Sequence, residues 1–323
     1  MANKKILVIG GAGYIGSHVV KALLHEGFGV TVYDNLSTGQ TCNLFADAEF
    51  VEGNILDSAY LEKTMSKGFD AVIHLAAKKA VGESMENPQL YSQNNISGSI
   101  NIFNAMLNTG VKNVVFSSTS AVYGMPEYLP LDESHPLNPM SFYGYTKMAI
   151  EQVMNWYSQI KDFNYIALRY FNAVGYAADG SIRGKEKNPQ NLLPLVMEVA
   201  TGKREILHVF GNDYDTPDGT CIRDYIHVED LAAAHVLAIK KLLDGCDSQI
   251  INLGTEKGTS VLEIIKSVER VSGKKINYDF APRRAGDPAN VIATSAKAAK
   301  VLGWKAKYTD IDEIVKTVWS LEK

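Results

Sequence analysis

Tyr143 and Lys147 stand four residues apart in Tyr143-Gly144-Tyr145-Thr146-Lys147, a spacing that puts a phenol and an ammonium on one helix face. A free phenol, with a pKa of roughly 10, is a poor base at neutral pH. A lysine cation beside it favours the phenolate, so the pair can take a proton from an alcohol and return it. Alone, Tyr-x-x-x-Lys is a common pattern of solvated helix faces. It gains weight from Ser117-Ser118-Thr119-Ser120 upstream, hydroxyls that close the apolar run Val114-Val115-Phe116. At the carboxyl end of a parallel strand such hydroxyls point into a ligand crevice. Tyr145, the other phenol nearby, lies on a different face from Lys147.

A second constellation opens the chain. The strand-like run Ile6-Leu7-Val8-Ile9 leads into Gly10-Gly11-Ala12-Gly13-Tyr14-Ile15-Gly16. Glycines are needed where a backbone turns tightly and lets a pyrophosphate approach without Cβ atoms in the way. The N–H groups at the start of the following helix then attract phosphate charge. Asp34 closes the next strand at the distance, about 20 residues on, where an acid meets the adenosine ribose hydroxyls and repels a 2′-phosphate. Gly10, Gly13, Tyr14, Ile15, Gly16, Asp34 and Asn35 therefore read as a site for NAD rather than NADP.

These residues must be held by regular elements. Apolar and β-branched runs predict strands at 4–10, 28–34, 48–52, 70–75, 112–117 and 164–169. Helical periodicity places helices near 14–26, 57–67, 88–109 and 141–159. Strands alternating with helices imply an α/β fold, a doubly wound parallel sheet of Rossmann type covered on both faces. After residue 172 the rhythm breaks into loops rich in Gly, Asn, Asp and Pro (175–191, 211–221, 281–290). The expected division is a dinucleotide-binding domain over 1–172, with parts of 222–255 returning to it. A smaller α/β substrate lobe over 173–323 would lie across the carboxyl ends of the strands. No internal repeat is visible.

Composition excludes other classes. Of 323 residues, 46% are apolar and 21% charged, with a net charge of −4; nothing favours nucleic acid or an anionic membrane as partner. No run of apolar residues is long enough to span a bilayer. The first residues lead straight into a strand, which reads as no signal peptide. Cys42, Cys221 and Cys246 cannot all pair and have no zinc-site spacing, so reduced thiols of a cytoplasmic protein without a metal are expected.

The glycine turn, Thr119, Tyr143 and Lys147 together resemble the nucleotide-sugar branch of the extended short-chain dehydrogenases/reductases. Within it the resemblance is to the UDP-galactose (UDP-glucose) 4-epimerase family, and it covers essentially the whole chain. It is carried by Gly10 to His18, Asp34-Asn35-Leu36, Val81-Gly82-Glu83-Ser84, Tyr123-Gly124 and Arg169-Tyr170-Phe171-Asn172. It continues in Val209-Phe210-Gly211-Asn212-Asp213-Tyr214, Arg223-Asp224-Tyr225-Ile226-His227-Val228 and Arg283-Arg284-Ala285-Gly286-Asp287.

The resemblance implies that Tyr143 is the acid/base, Lys147 its cationic partner and Thr119 a hydrogen-bonding hydroxyl on the sugar. It implies that Lys79 contacts the NAD ribose or the substrate side, that Asn94 and Phe171 line the cofactor, and that Asn54 and Ile55 lie by the adenine. Asn54 replaces an Asp common in relatives, and His74-Leu75-Ala76-Ala77 also departs from the usual stretch. Asn172, Asn191, Leu192, Phe210, Arg223, Tyr225, Arg284 and Asp287 would hold UDP, the arginines because a guanidinium fork meets diphosphate oxygens in pairs. For Arg223 the competing role is a surface ion pair, for example with Asp224. Val291, the fourth residue after Asp287, would stand by the sugar C2 substituent, where a bulky Tyr excludes acetylated sugars.

The activity implied is NAD-dependent 4-epimerisation of UDP-hexoses through a 4-keto sugar, in a homodimer pairing the helices near 88–109 and 141–159. The related 4,6-dehydratases carry Asp-Glu after the Thr, and decarboxylases a Glu in place of Ala121; Ser120 and Ala121 supply neither. Two alternatives are an NAD-linked nucleotide-sugar dehydrogenase or reductase with a dissociable cofactor, and a non-catalytic dinucleotide sensor. A sensor would be expected to lose Tyr143 or Lys147.

Overall fold

The computed structural model describes residues 4–186, 189–284 and 286–322. The chain begins with β1 (Lys5–Ile9), α1 (Tyr14–His25), β2 (Gly29–Asp34), β3 (Glu49–Glu52), α2 (Ser58–Met65) and β4 (Ala71–His74). There follow α3 (Val81–Glu86), α4 (Pro88–Tyr91), α5 (Gly98–Thr109), β5 (Asn113–Ser117), α6 (Phe142–Ile160) and β6 (Asn164–Tyr170). The six strands and the helices read from periodicity are present. The exception is the helix expected over 88–109, which is interrupted by a π-helical stretch at 92–97 between α4 and α5. The wider turn is pinned by Asn95, whose amide accepts from Lys78 N (2.8 Å) and donates to Lys78 O (2.9 Å). Such insertions often mark functional sites because they re-aim side chains.

The second part holds β7 (Asn172–Val174), α7 (Leu192–Ala200), β8 (Leu207–Phe210), β9 (Ile222–His227), α8 (Val228–Leu243) and β10 (Gln249–Leu253). It ends with β11 (Gly258–Ser260), α9 (Val261–Ser272), β12 (Tyr278–Ala281), β13 (Asn290–Val291), α10 (Ala296–Leu302) and α11 (Ile311–Trp319). Seven strands form one sheet in the order β10-β6-β5-β4-β1-β2-β3, every neighbouring pair parallel. The direction of winding reverses between β1 and β4, where sheets of this kind open a crevice at their carboxyl ends. Side chains alternate across the sheet. Ile6 and Val8 pack with Val19, Leu23, Leu231 and Ile239 of α1 and α8. Leu7 and Ile9 face Leu61, Phe103, Ile150 and Met154 of α2, α5 and α6.

Over the crevice, the first half of β9 pairs with both β11 and β13 and its second half with β7, while β8 pairs with β12. A separate apolar cluster joins α7, α9 and α11 through Leu193, Val196, Ile264, Val268, Ile314 and Val315. No helix among the described residues is long and apolar enough to cross a membrane.

Candidate active site

Helix α6 starts at Ser141, whose hydroxyl accepts from Gly144 N at 3.1 Å and so fixes its first turn. Tyr143 lies in that turn, its own N–H donating to Ser84 Oγ at 3.1 Å. At the end of β5, Thr119 Oγ1 accepts from Ala121 N at 3.2 Å, which leaves its hydrogen free for the Tyr143 oxygen. Burial pushes the Tyr143 phenol up to about 12, and the hydrogen bond from Thr119 pulls the other way. Lys147 is 3% exposed; its Nζ donates to the Ser117 carbonyl at 2.7 Å and sits 4.5 Å from the centre of the Phe116 ring. Burial pulls its pKa down to about 7, with Glu151 opposing. One N–H of Lys147 is thus spent on a strand carbonyl, which anchors the side chain to the end of β5. Tyr145 points outward and stacks on Phe142.

The glycine turn satisfies the steric demand its sequence implied. Gly10 has φ +87°, and a Cβ on Gly16 would stand 2.1 Å from Gly10 O. Gly13 caps α1 without any side-chain partner, so the helix presents bare N–H groups toward the crevice. Ile15 packs into the core, and Tyr14 donates to Gly175 O at 2.5 Å, tying the turn to the loop above. Asp34 ends β2; its carboxylate accepts from Ala12 N (3.0 Å) and Leu36 N (2.8 Å), and burial raises its pKa. Asn35 and Asn54 are exposed, each accepting from the backbone two residues on; Ile55 is buried against Gly98. A pyrophosphate cradle with no room for Cβ atoms, an open helix N-terminus and an acid beside it fit a dinucleotide.

Asn94 lies in the π-helical stretch and donates to Asn95 Oδ1 at 3.0 Å. Lys79 forms an ion pair with Glu186 of the loop that follows β7. That loop is also tied to the dinucleotide side through Gly184 N, which donates to Asn43 Oδ1 at 3.0 Å.

The lobe brings the remaining candidates together from several loops. Phe210 ends β8, and the Arg284 guanidinium lies 4.0 Å from its ring centre. Arg223 pairs with Asp287, not with Asp224. The Asp224 carboxylate is fully buried, accepting from Thr255 N and Oγ1 and from Glu256 N, and therefore has no surface on which to meet an arginine. Asn172 and Tyr225 face each other across β7 and β9, with Asn172 Nδ2 donating to Asp224 O at 3.1 Å. Asn191 is the exposed residue capping α7, and Leu192 its first turn. Phe171 and Val291 pack with Val122 and Tyr123 of the loop that carries Thr119. Among the described residues no group of three His, Cys, Asp or Glu is placed to hold a metal ion.

Comparison with known proteins decides the family. The model of the NAD dependent epimerase/dehydratase family matches residues 6–254. The chain belongs to this family. The UDP-glucose 4-epimerase of Lacticaseibacillus casei is 45% identical over 317 residues, 98% of this chain and 96% of that protein. The crystal structure of a UDP-glucose 4-epimerase from Brucella ovis in complex with NAD superposes with a TM-score of 0.95, at 46% identity and 97% coverage of both chains. The UDP-Glc/GlcNAc 4-epimerase of Campylobacter jejuni gives a TM-score of 0.88 at 38% identity, covering 99% of each chain.

Against the family pattern, sequence reasoning overlooked two neighbours of the site in this chain. Glu151 lies one turn beyond Lys147 on the same face of α6 and pairs with the buried Arg169; its spacing made it legible. Glu186, which takes Lys79, sits in an irregular loop where no periodicity could have singled it out.

Proposed function

We propose that the chain interconverts the C4 configuration of UDP-hexoses in both directions. The observation that carries this reading is the set Tyr143, Thr119 and Lys147 at a strand end whose next residues, Ser120 and Ala121, bring no carboxylate. Relatives at 45–46% identity over nearly the whole chain are UDP-glucose 4-epimerases. NAD, when bound, would supply the acceptor for the C4 hydride and, when oxidised, a positive charge that favours the phenolate. The chain's residues manage the proton. Tyr143 takes it from the sugar 4-hydroxyl, with Thr119 donating to the oxygen, and holds it while the substrate is a 4-keto sugar. Burial raises the proton affinity of the phenol, so its role as base depends on the opposing pull of Thr119 and of nearby positive charge; one group then suffices as base and as acid. Ser120 and Ala121 offer no acid–base pair after Thr119 to remove water from the sugar, as a dehydration would require.

Gly10, Gly13, Tyr14, Ile15, Gly16, Asp34, Asn35, Asn54, Ile55, Lys79, Asn94 and Phe171 are assigned to NAD. Asn172, Asn191, Leu192, Phe210, Arg223, Tyr225, Arg284 and Asp287 are assigned to the UDP handle, leaving the hexose free to turn, with Val291 by its C2 substituent. The NAD-binding domain would then comprise residues 1–172 with parts of 222–255 returning to it, as β10 does in the sheet, and 173–323 the smaller lobe that holds the UDP handle. A homodimer through α4 to α6 is supported by Tyr145, Trp156 and Ile160, exposed on α6 at 46, 63 and 63%. Three free thiols are consistent with a cytoplasmic enzyme.

The deciding experiment incubates the purified protein with UDP-galactose, UDP-N-acetylgalactosamine and UDP-glucuronate without added NAD and separates the products. Conversion of UDP-galactose to UDP-glucose with no net change in nicotinamide absorbance is expected. A stoichiometric absorbance change would instead indicate a dehydrogenase or reductase with a dissociable cofactor.

A further inference from the structure

Three residues of α6 at successive turns, Tyr143, Lys147 and Glu151, face three consecutive residues closing β5. Thr119 bears on the Tyr143 phenol, Lys147 Nζ donates to the Ser117 carbonyl, and Ser118 Oγ donates to Glu151 Oε1 at 2.5 Å. Glu151, 3% exposed, is gripped from β6 by Arg169, 2% exposed, through Nε to Oε1 (3.0 Å) and Nη2 to Oε2 (2.5 Å). Arg169 Nη1 donates to Tyr123 OH at 3.1 Å, and that hydroxyl donates to Asn252 Oδ1 of β10 at 2.6 Å. The network thus spans α6 and strands β5, β6 and β10.

We infer that Glu151 is a positioning residue. Held by Arg169, it sets the register of α6 against the end of β5, and its carboxylate keeps Lys147 charged beside the phenol. The inference rests on the acid–base roles proposed above for Tyr143 and Lys147.

The groups around Lys147 make Glu151 the source of that charge. On β4, His74 is held neutral, its pKa brought down to about 3 chiefly by burial and further by Lys147. Its Nε2–H donates to Ser99 Oγ, since that hydroxyl is itself committed to Asn95 O, and its buried Nδ1 has no partner. On β5 only the Phe116 ring and the Ser117 carbonyl reach the ammonium. On β6, Tyr170 is half-buried and neutral, its pKa raised by desolvation, and Arg169 is a cation. From α8, His235 accepts from Ser117 Oγ and is also neutral, its pKa down to about 4 by burial. Among the described residues Glu151 is the carboxylate that bears on Lys147. Without it, burial alone would act on the ammonium, and the proton would leave at lower pH.

A merely structural ion pair and a charge-setting one predict different results. Replacing both partners by apolar residues, Glu151→Met with Arg169→Met, removes the pair without leaving a lone buried charge, a change often neutral for stability. The double variant is expected to melt near the parent. The high-pH limb of kcat should nevertheless fall, by less than the roughly one pH unit expected for losing an opposite charge alone, because the Arg169 cation leaves with it. Arg169→Met alone leaves Glu151 unopposed and is expected to move the same limb upward. The Lys147 Nζ resonance of 15N-lysine-labelled protein should titrate with the same opposite displacements, a reading independent of turnover. Parent-like titration in a stable double variant, or displacement of both variants in one direction, overturns the inference. If Tyr143→Phe keeps turnover, the acid–base assignment fails instead, and the Lys147 titration still tests the coupling to Glu151.

Discussion

On the sheet side of the cleft, Gly10, Gly16, Asp34 and Thr119 all sit where a strand ends or a helix begins, fixed by backbone geometry and backbone hydrogen bonds. On the lobe side, Phe210, Arg223, Arg284 and Asp287 hold one another by a guanidinium stack and an ion pair. The first arrangement has no alternative conformation to offer: a Cβ on Gly16 meets a carbonyl oxygen. The second consists of side chains that can exchange a protein partner for a phosphate oxygen or a base ring. Substitutions on the sheet side should therefore act nearly all-or-none, whereas those on the lobe side should grade affinity.

The largest effect is expected where the sides meet. Tyr143→Phe keeps the ring and removes the ionisable oxygen, so kcat should drop by about 10²–10⁴-fold while NAD and UDP still bind. Near-normal turnover of the purified variant would remove Tyr143 from its role. Next comes Gly16→Ala, which pushes a methyl into Gly10 O. Overpacking of this kind costs about 1–3 kcal/mol, here at the pyrophosphate turn. The purified variant should contain little dinucleotide, measured on the nucleotide released by denaturation. Full retention of NAD would show that the sheet side also adapts, and the contrast would collapse.

Arg284→Ala tests the lobe side. Losing charge-assisted hydrogen bonds to a diphosphate removes about 1.5–3 kcal/mol, seen as a KM for UDP-galactose higher by about 10–150-fold with kcat largely kept. A fall in kcat at constant KM would mean that Arg284 serves chemistry, not grip. Asp34→Ala should have a milder effect. Its carboxylate is buried with donors from Ala12 and Leu36, so its loss loosens the turn and relaxes the bar to a 2′-phosphate. Reconstituting stripped protein with NADP should then succeed, by at least about tenfold over the parent, which corresponds to about 1.4 kcal/mol. Equal rejection of NADP by both proteins would misplace Asp34.

The same contrast explains what could be read from the sequence. Val114-Val115-Phe116 and Gly10 to Gly16 announce a buried strand and its turn because period and glycine spacing are local properties. The parallel sheet, its helices and the Tyr143–Lys147 face followed from them. The break at 92–97 did not, since it depends on Asn95 finding the Lys78 backbone, a long-range match. Nor did the partner of Arg223: the adjacent Asp224 was the obvious candidate by sequence, but its carboxylate is consumed by the Thr255–Glu256 backbone. Resemblance, not periodicity, identified the lobe residues, whose positions depend on loops meeting at β9.

The smallest expected effect on the basic reaction, and the most selective, belongs to Val291. It lies half-buried on β13, beside Arg223 in register and packed with Phe171 and Tyr123, so its side chain borders the loop of Thr119. A valine leaves room that a tyrosine ring would fill. The parent is therefore expected to convert UDP-N-acetylgalactosamine as well as UDP-galactose, in keeping with the relative named as a UDP-Glc/GlcNAc 4-epimerase. Val291→Tyr should leave plain hexose turnover within about a few-fold and suppress the acetylated pair, because an acetamido group forced against the ring brings an overpacking cost of about 1–3 kcal/mol. The comparison to make is kcat/KM for both sugars in both proteins. Equal losses on the two sugars would show that the ring disturbs Phe171 or Tyr123 rather than the space beside C2. A parent with no activity on the acetylated sugar would mean that side chains other than Val291 close the pocket, and size selection would then belong to the fixed side of the cleft.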